Sequence, residues 1–289
     1  MSTAAAMPIS VVVPTLGGPS LESTFAALHA GTVVPDEILV CLPEAEAANV
    51  RTFPWPNVRV VVTNVRGQVG QRAIGFAQAR NPLVLQLDDD LVVAPDALEL
   101  LRESLLSFPP RTAVSPALMD RATGASVYRT AARGGVSGWV NRWLTNGGRE
   151  PVPGKIMVTG GALGIDALAS DQRYHDVEWL PGGCILHHRE NLVLENFYPF
   201  RGKAFCEDII HSHHLRHRGI ALKIDTRARV SVDVPTEVLS FGAFRKEVRA
   251  DLAARRHFMT LSSRSPFLTY AFATSRCLGY LVERLRGRA

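Results

Sequence analysis

The chain has 289 residues, of which 46% are hydrophobic and 20% charged, and its formal net charge is +5. This composition is typical of a soluble globular protein. It excludes a wholly disordered chain, a collagen-like repeat and a polytopic membrane protein. The length suits one large α/β domain or two smaller domains.

The positive charge is concentrated at one end of the chain. Residues 245–289 contain ten basic and three acidic side chains, whereas residues 1–244 contain 22 basic and 24 acidic ones. The sequence therefore predicts a near-neutral body with a basic C-terminal tail.

Cysteine spacing and the N-terminal segment indicate the compartment. Cys41, Cys184, Cys206 and Cys277 lie far apart without a Cys-x-x-Cys pair, which favours free thiols in a reducing environment. The first residues lack the pattern of a secretion signal, and no run of 18 uncharged apolar residues predicts a membrane-spanning helix. We therefore expect a cytoplasmic protein.

Strand and helix patterns alternate along the first hundred residues. Apolar runs predict strands at 9–13, 37–42, 58–62 and 82–87, and periodicity predicts helices at about 20–30, 68–80 and 95–108. This alternation predicts an α/β fold with a parallel sheet, whose ligands bind beyond the carboxyl ends of the strands. Those ends are Pro14-Thr15, Leu42 to Glu44, Thr63 to Arg66 and Asp88 to Asp90.

The periodicity breaks down between about residues 119 and 180, where glycines and arginines surround Trp139 and Trp143. So long a stretch predicts a functional loop region. Further patterns predict a strand within 178–186, a helix at 204–218, a short strand at 220–224 and terminal helices at 236–262 and 266–286.

Asp88-Asp89-Asp90 directly follows a predicted buried strand. Adjacent carboxylates repel one another unless a cation is present, and oxygen ligands suit Mg²⁺ or Mn²⁺. The alternative is a solvated acidic turn before the next helix. The position at a strand end favours the metal.

Glu207-Asp208 begins the predicted helix at 204–218. Acidic residues in a first helical turn are stabilised by the helix dipole, which is a sufficient structural reason for the pair. A functional interpretation makes one carboxylate a general base toward an acceptor hydroxyl.

Five motifs follow one another in order: Pro14-Thr15, Gly70 to Gly75, Asp88 to Asp90, Gly182-Gly183 and Glu207-Asp208. Their order and spacing, over about residues 8–232, resemble family 2 glycosyltransferases with the GT-A fold. The resemblance implies a mostly parallel twisted sheet flanked by helices, with a C-terminal helical extension. It also implies transfer of a single sugar from a nucleotide-sugar to an acceptor hydroxyl, with inversion at the anomeric carbon.

The resemblance also implies roles for individual residues. The family's Asp-x-Asp element, which binds the nucleotide-sugar and its metal, corresponds to Asp88 and Asp90, so Mg²⁺ or Mn²⁺ is the expected cofactor. The Glu-Asp pair corresponds to Glu207, beside the acceptor, and Asp208, the expected catalytic base. Arg72 or Arg66 would help the metal to neutralise the departing diphosphate. The residues expected to bind the donor are Pro14, Thr15, Glu44, Arg66, Gly67, Gln71, Arg72, Asp88, Asp89, Gly182, Gly183 and Glu207.

The chain departs from the family pattern at three places. Cys41 to Glu44 replaces the Asp-Asp-Gly-Ser-type turn of many members, so either Glu44 or Glu46 would recognise the nucleotide base or the base is recognised in another way. The segment before Asp233 lacks the metal-binding His of many members, which makes Asp233 the candidate third ligand. The Gln-x-x-Arg-Trp signature of processive members is missing, so single-sugar transfer is expected.

Histidines 211, 213, 214 and 217 raise a second metal hypothesis. His213 and His217 are four residues apart and would share a helical face, as zinc ligands can. Because no third ligand is evident, partly exposed or core histidines are the favoured interpretation.

The C-terminal extension, residues 236–289, is predicted to be basic and amphipathic. Leu268, Phe272, Leu278 and Leu281 fall on one helical stripe. Two interpretations stay open: contact with an anionic membrane surface, or packing on the catalytic domain with a solvated basic face. The protein is therefore expected to be cytoplasmic, with or without peripheral attachment to the cytoplasmic face of the membrane.

The predicted catalytic domain covers residues 1–235, with a nucleotide-sugar half at about 8–118 and an acceptor half at about 119–235. The expected partners are a nucleotide-sugar donor and a glycan or lipid-linked acceptor, in cell-envelope or surface glycan biosynthesis. A sugar-phosphate nucleotidyltransferase is the alternative enzyme, but residues 14–22 lack the basic residue of its phosphate loop. Nucleic-acid binding by the basic tail is the third hypothesis, and no nucleic-acid partner is expected, because the tail's aromatic residues suit packing or membrane contact.

Overall fold

A nine-stranded mixed β-sheet organises the chain. The structure is a computed structural model that describes residues 7–49, 53–129, 135–235, 237 and 239–285. The strands are β1 Ile9–Pro14, β2 Glu37–Pro43, β3 Val58–Thr63, β4 Leu83–Leu87, β5 Val92–Val93, β6 Thr112–Asp120, β7 Tyr174–Asp176, β8 Cys184–His188 and β9 Ala221–Val232.

Seven α-helices accompany the sheet in the described part of the chain. They are α1 Ser20–His29, α2 Gln68–Gln78, α3 Ala97–Ser107, α4 Gly135–Asn146, α5 Glu207–His217, α6 Phe241–Leu261 and α7 Leu268–Leu285. Short 3₁₀ helices occupy Glu44–Asn49 and Arg189–Asn191.

The strand order is β3-β2-β1-β4-β8-β6-β9-β5, and β7 pairs with β9. The first four strands in this order are parallel, whereas β8 runs antiparallel to both β4 and β6. In β1, alternate side chains enter different cores: Val11 and Val13 pack with the core of α1 and α3, and Val12 packs with Phe76 of α2. Burial on both faces explains why β1 is continuously apolar. The predicted fold class is confirmed.

The region from 119 to 180 contains more regular structure than its sequence predicts. It holds the end of β6, the helix α4 and the strand β7, and β9 extends over twelve residues rather than five. The prediction of an irregular loop region was therefore wrong for α4 and β7, and the strand predicted at 220–224 was too short. Long-range pairing explains the error, because β9 is held by β6, β7 and β5 along its length.

Both C-terminal helices pack on the rest of the protein. Ser240 caps α6 by accepting a hydrogen bond from the Ala243 N–H at 3.3 Å. Ala254, Phe258 and Met259 of α6 lie in one core cluster with Ile209 and Ile210 of α5, and α7 packs against both α6 and α4. No helix in the described ranges combines the length and apolarity needed to cross a bilayer.

Candidate active site

Three predicted site carboxylates line one cavity of about 250 Å³. Asp88 and Asp90 enter it from the end of β4, and Asp208 enters it from the first turn of α5. The structure thus joins two acidic motifs that lie more than a hundred residues apart in the sequence. Gly182 and Gly183, just before β8, form part of the same wall.

The aspartates of the triplet have three different environments. Asp88 accepts hydrogen bonds on Oδ1 from Gln68 Nε2 at 2.7 Å and Arg72 Nη2 at 3.0 Å. Asp89 accepts a hydrogen bond from the Thr15 hydroxyl, so its side chain ties β4 to the end of β1. Asp90 is the exposed member of the triplet. Asp88 and Asp90 are therefore the two members that reach the cavity.

Arg72 forms a buried bridge between the two acidic motifs. Its side chain is 3% exposed and lies 3.0 Å from Asp88 Oδ1 and 3.2 Å from Glu207 Oε1. The opposite charges of Glu207 and Asp88 raise the pKa of Arg72 against the effect of its burial, so it is permanently charged. The guanidinium holds the end of β4 against the start of α5.

Burial and neighbouring carboxylates perturb the pKa of Asp88. Burial and the charges of Glu207 and Asp90 together raise the pKa to about 6, against the lowering effects of Arg72 and the Gln68 hydrogen bond. Negative charge thus exceeds positive charge at the end of β4, which favours a bound cation.

Asp208 is half-buried at the N-terminus of α5. The preceding Cys206 has a left-handed backbone with φ of 55°, which turns the chain sharply into the helix. Asp208 Oδ1 accepts a hydrogen bond from the Ile209 N–H at 2.8 Å. Burial and the charge of Glu207 together raise the pKa of Asp208 to about 7, against the opposing effects of the Ile209 hydrogen bond and the charge of Arg255. A carboxyl group with this pKa can exchange a proton near neutral pH.

Gln71 fixes the carboxyl ends of β1 and β2. It is buried, and its Nε2 donates to the carbonyl oxygens of Thr15 at 2.8 Å and Cys41 at 2.7 Å. Its Oε1 accepts from the N–H of Gly67, the residue with φ of 147° that precedes α2. The structure thus brings Gln71, Gly67, Thr15 and the adjoining Pro14 together as the frame of the site.

The second predicted donor region lies at the ends of β2 and β3. Glu44 is exposed at the start of a 3₁₀ helix. Arg66 Nη1 lies 2.6 Å from Glu46 Oε1. Arg66 therefore pairs with an acidic residue that follows β2, whereas Arg72 pairs with Asp88 and Glu207.

Gly182 makes a close backbone approach to α5. A Cβ atom there would lie 2.5 Å from Glu207 Oε1 and 3.3 Å from Asp208 Cβ. Glu207 cannot move freely because Arg72 binds both of its oxygens at 3.2 Å. This contact explains the first glycine of the Gly182-Gly183 motif.

Replacing Gly182 with alanine is expected to destabilise the fold by about 1–3 kcal/mol, the usual effect of overpacking. It should also lower activity by displacing Glu207 and Asp208. Urea unfolding and turnover assays would measure both effects. Gly242→Ala is the matched control, because a Cβ atom at Gly242 would meet nothing within 4 Å. Equal stability of the two variants would contradict the packing argument.

Asp233, the candidate third metal ligand, lies beyond the end of β9. It forms an ion pair with Arg121 at 3.0 Å, and Arg121 Nη2 also donates to the Asp90 carbonyl at 3.3 Å. Over the residues that the structure describes, no group of three or more His, Cys, Asp or Glu side chains is arranged to hold a metal. Asp233 does not line the cavity, so Asp88 and Asp90 are the two predicted metal ligands that do.

The histidines of α5 divide into a buried and a partly exposed set. His211 is buried beside His187 and stacks on Phe197, with ring centroids 5.4 Å apart. Burial lowers its pKa well below the usual value, so it is neutral. The rings of His213 and His217 lie 4.3 Å apart on one face, without a third ligand within the described chain.

Two features of the site have no clear signal in the sequence. Tyr128 lines the cavity and contacts Trp179 edge-on at 5.8 Å, but it lies in the stretch without periodicity. Arg255 of α6 donates to the Gly160 carbonyl at 2.6 Å and also binds Asp251. Asp251 Oδ1 in turn accepts a hydrogen bond from Cys206 Sγ at 3.6 Å. The C-terminal extension therefore supports the turn that precedes Asp208.

Comparisons with known proteins agree with this architecture. Residues 10–134 match the family model described as "Glycosyl transferase family 2". A search of the curated proteins finds none that matches the chain.

Two similar solved structures are GalNAc-T7 with UDP, GalNAc and Mn²⁺, and the mannosyltransferase PcManGT from Pyrobaculum calidifontis with GDP-Man and Mn²⁺. Each has a TM-score of 0.54 and 16% sequence identity to this chain. The first match covers 79% of this chain and 43% of GalNAc-T7, and the second covers 93% of this chain and 69% of PcManGT. This chain thus spans less than half of GalNAc-T7.

The likeness to solved structures establishes the GT-A architecture, and the family model accounts for the N-terminal half that carries the aspartate triplet. Both agree with the resemblance seen in the sequence. Residues 10–134 therefore match glycosyltransferase family 2, and the chain has the GT-A fold and is assigned to the transferase class of enzymes.

Proposed function

We propose that this protein transfers a single sugar, with inversion and metal assistance, from a nucleotide-sugar to a hydroxyl of a glycan or lipid-linked acceptor. The observation that supports the proposal is the shared cavity, which Asp88, Asp90 and Asp208 all line. Two carboxylates suit a metal-diphosphate, and a separate carboxylate suits a proton acceptor. Cell-envelope or surface glycan biosynthesis is the proposed setting.

The residues present fit a divalent cation. The hydrogen bonds that Gln68 and Arg72 donate to the Asp88 side chain both end on Oδ1. Oδ2 and the exposed Asp90 carboxylate then supply oxygen ligands, which Mg²⁺ and Mn²⁺ prefer. Such ions are commonly bound by one or two carboxylates together with substrate phosphates, so two protein ligands suffice. Bound there, the cation would supply positive charge to the departing diphosphate. The presence of Mn²⁺ in both similar structures supports this assignment.

Asp208 is the proposed catalytic base. Its carboxylate removes the proton of the acceptor hydroxyl as the oxygen forms a bond to the anomeric carbon. The bond from that carbon to the nucleoside diphosphate breaks on the opposite side, which inverts the configuration. The leaving group takes the bonding electrons. Asp208 holds the proton until it passes to solvent.

Arg72 is proposed to position the carboxylates rather than to contact the donor. Its donors already bind Asp88 and Glu207, and its side chain is 3% exposed. Pro14, Thr15, Gly67 and Gln71 would frame the donor by fixing the strand ends.

The remaining donor contacts are proposed at two places. Glu44 and the Arg66–Glu46 pair would meet the nucleoside end of the donor. Asp89 would keep β1 and β4 aligned through Thr15, and Gly182-Gly183 would let the sugar approach the backbone closely.

A turnover assay with a panel of nucleotide-sugars tests the proposal. We expect release of nucleoside diphosphate that requires Mn²⁺ or Mg²⁺ and stops with EDTA. Nuclear magnetic resonance of the product's anomeric proton should show inverted configuration. Retained configuration would contradict the role of Asp208, and release of pyrophosphate from a nucleoside triphosphate and a sugar phosphate would indicate a nucleotidyltransferase instead.

The raised pKa of Asp208 predicts a pH dependence. A general base acts only when deprotonated, so its raised pKa of about 7 means that activity falls as pH decreases through this value. We expect turnover to rise between about pH 6 and about pH 8 and then to level off. A profile measured with saturating metal would check this, because weaker metal binding to protonated Asp88 is then excluded. A flat profile over that interval would argue against Asp208 as the base.

A further inference from the structure

The outward face of α7 is apolar. Tyr270, Leu278, Leu281 and Leu285 are 45%, 46%, 53% and 87% exposed. Their spacing places them along one side of the helix. The water-exposed side of a surface helix ordinarily carries charged residues. This side of α7 is therefore built for a contact other than water.

Most of α7 carries a single charged side chain, which binds the body of the protein. Between Ser265 and Val282 the sequence contains one charged residue, Arg276. Arg276 Nη1 binds the buried Asp251 of α6 at 2.8 Å. Arg276 thus anchors α7 to the body and leaves the outward side uncharged over this segment.

Helix α4 lies beside α7 and carries two exposed aromatic residues of its own. Trp139 and Trp143 are 55% and 54% exposed, with ring centroids 6.1 Å apart. Asn141 Oδ1 accepts a hydrogen bond from Ser275 of α7 at 2.9 Å, so the two helices are neighbours. The α4–α7 surface is defined here as Trp139, Trp143, Tyr270, Leu278, Leu281 and Leu285.

Basic residues accompany this surface. The guanidinium of Arg256 lies 5.8 Å from the ring centroid of Tyr270, and Arg284 is exposed beside Tyr280 at 5.6 Å. Arg245, Lys246 and Arg249 also lie on α6. Arg256 and Arg284 thus place positive charge beside the exposed apolar residues of α7, and the neighbouring helix α6 carries further exposed basic residues.

We infer that the α4–α7 surface docks peripherally on an anionic lipid bilayer. Tryptophan and tyrosine suit the headgroup region, leucines suit the acyl boundary, and arginines suit anionic headgroups. Helix α7, about 27 Å long at 1.5 Å per residue, would lie in the plane of the interface. The inference rests on this surface alone and goes beyond the proposed reaction.

The docked helices are connected to the catalytic base. Asp251 binds Arg276 of α7, Arg255 of α6 and Cys206, two residues before Asp208. Docking would therefore hold the active site close to the bilayer. This places lipid-linked acceptors within reach if the proposed function is correct.

Vesicle co-sedimentation of the full chain tests the inference. We expect binding to vesicles of phosphatidylcholine with phosphatidylglycerol, weak binding to phosphatidylcholine alone, and loss of binding at high salt. Leu281→Glu should weaken binding to the anionic vesicles about tenfold or more, since it places a negative charge on the docking face. Leu168→Glu is the matched control, because Leu168 is 55% exposed and lies outside α4 and α7. This variant should bind the vesicles as the wild type does.

Tryptophan fluorescence supplies a second readout. Trp139 and Trp143 should shift to shorter wavelength on anionic vesicles, and Trp139→Ser with Trp143→Ser should remove that shift. Equal binding of the two glutamate variants, or no binding by wild type, would overturn the inference.

Self-association is the competing explanation. A wild-type dimer that Leu281→Glu dissociates, measured by light scattering without vesicle binding, would assign the surface to a second copy and overturn the inference. Donor turnover without vesicles should be unchanged in Leu281→Glu, so failure of docking and failure of the proposed reaction give different results.

Discussion

Asp208→Asn is expected to lower turnover by about 10²- to 10⁴-fold, the range that a positioned general base contributes. Asparagine keeps the shape of the side chain but cannot accept the proton of the acceptor hydroxyl. The bond that Asp208 Oδ1 accepts from the Ile209 N–H can be kept by an amide oxygen, so the helix start should be retained. Affinity for the donor should change little, because the base faces the acceptor.

The measurement is kcat and KM for the donor, together with unfolding by heat. Asp176→Asn is the matched control, since Asp176 is 79% exposed and pairs with Lys223 at the surface. Wild-type turnover in Asp208→Asn would refute its catalytic role. A changed KM with unchanged kcat would move Asp208 from proton transfer to donor binding.

Arg72→Met is expected to give the largest loss of stability, about 3–5 kcal/mol, because removing one partner leaves uncompensated buried charge. Glu207 and Asp88 would lose the guanidinium that lies within 3.2 Å of both. Urea unfolding would measure the change. Activity should fall as well, since the same contact aligns the end of β4 with α5.

Two further variants identify the cause of the stability loss expected in Arg72→Met. Arg59→Met removes an ion-paired arginine whose side chain is 38% exposed, and should cost about 1 kcal/mol or less. Adding Glu207→Gln to Arg72→Met should recover part of the stability, because one of the stranded charges is then neutral. A similar loss in both arginine variants, or no recovery in the double variant, would contradict the buried-bridge account.

The parallel half of the fold could be predicted because its strands are buried on both faces. Val11, Val12 and Val13 are 0% exposed, which makes β1 a continuous apolar run in the sequence. The site residues at the strand ends follow from this topology, since parallel strands end at one edge. Asp88 and Asp90, which follow β4, accordingly line the cavity.

The rest of the fold and of the site depends on contacts between segments that are distant in the sequence. Helix α4 has a weak sequence pattern because its tryptophans face outward, which reverses the usual amphipathic arrangement. The burial of Arg72 could not be predicted, since an arginine near a strand end suits a phosphate as well as a carboxylate. Tyr128 and Arg255 enter the site only through tertiary packing of the second half on the first.

Nucleotide binding followed by calorimetry tests the central claim most directly, because it needs no acceptor. We predict that UDP or GDP binds in the presence of Mn²⁺, that EDTA abolishes the heat, and that Asp90→Asn weakens binding at least about tenfold. Asp36→Asn is the control and should bind nucleotide as the wild type does. Asp36 accepts a hydrogen bond from the Ile9 N–H at the start of β1, far from the cavity. Metal-independent binding, or unchanged affinity in Asp90→Asn, would contradict the assignment of this cavity to a metal-diphosphate.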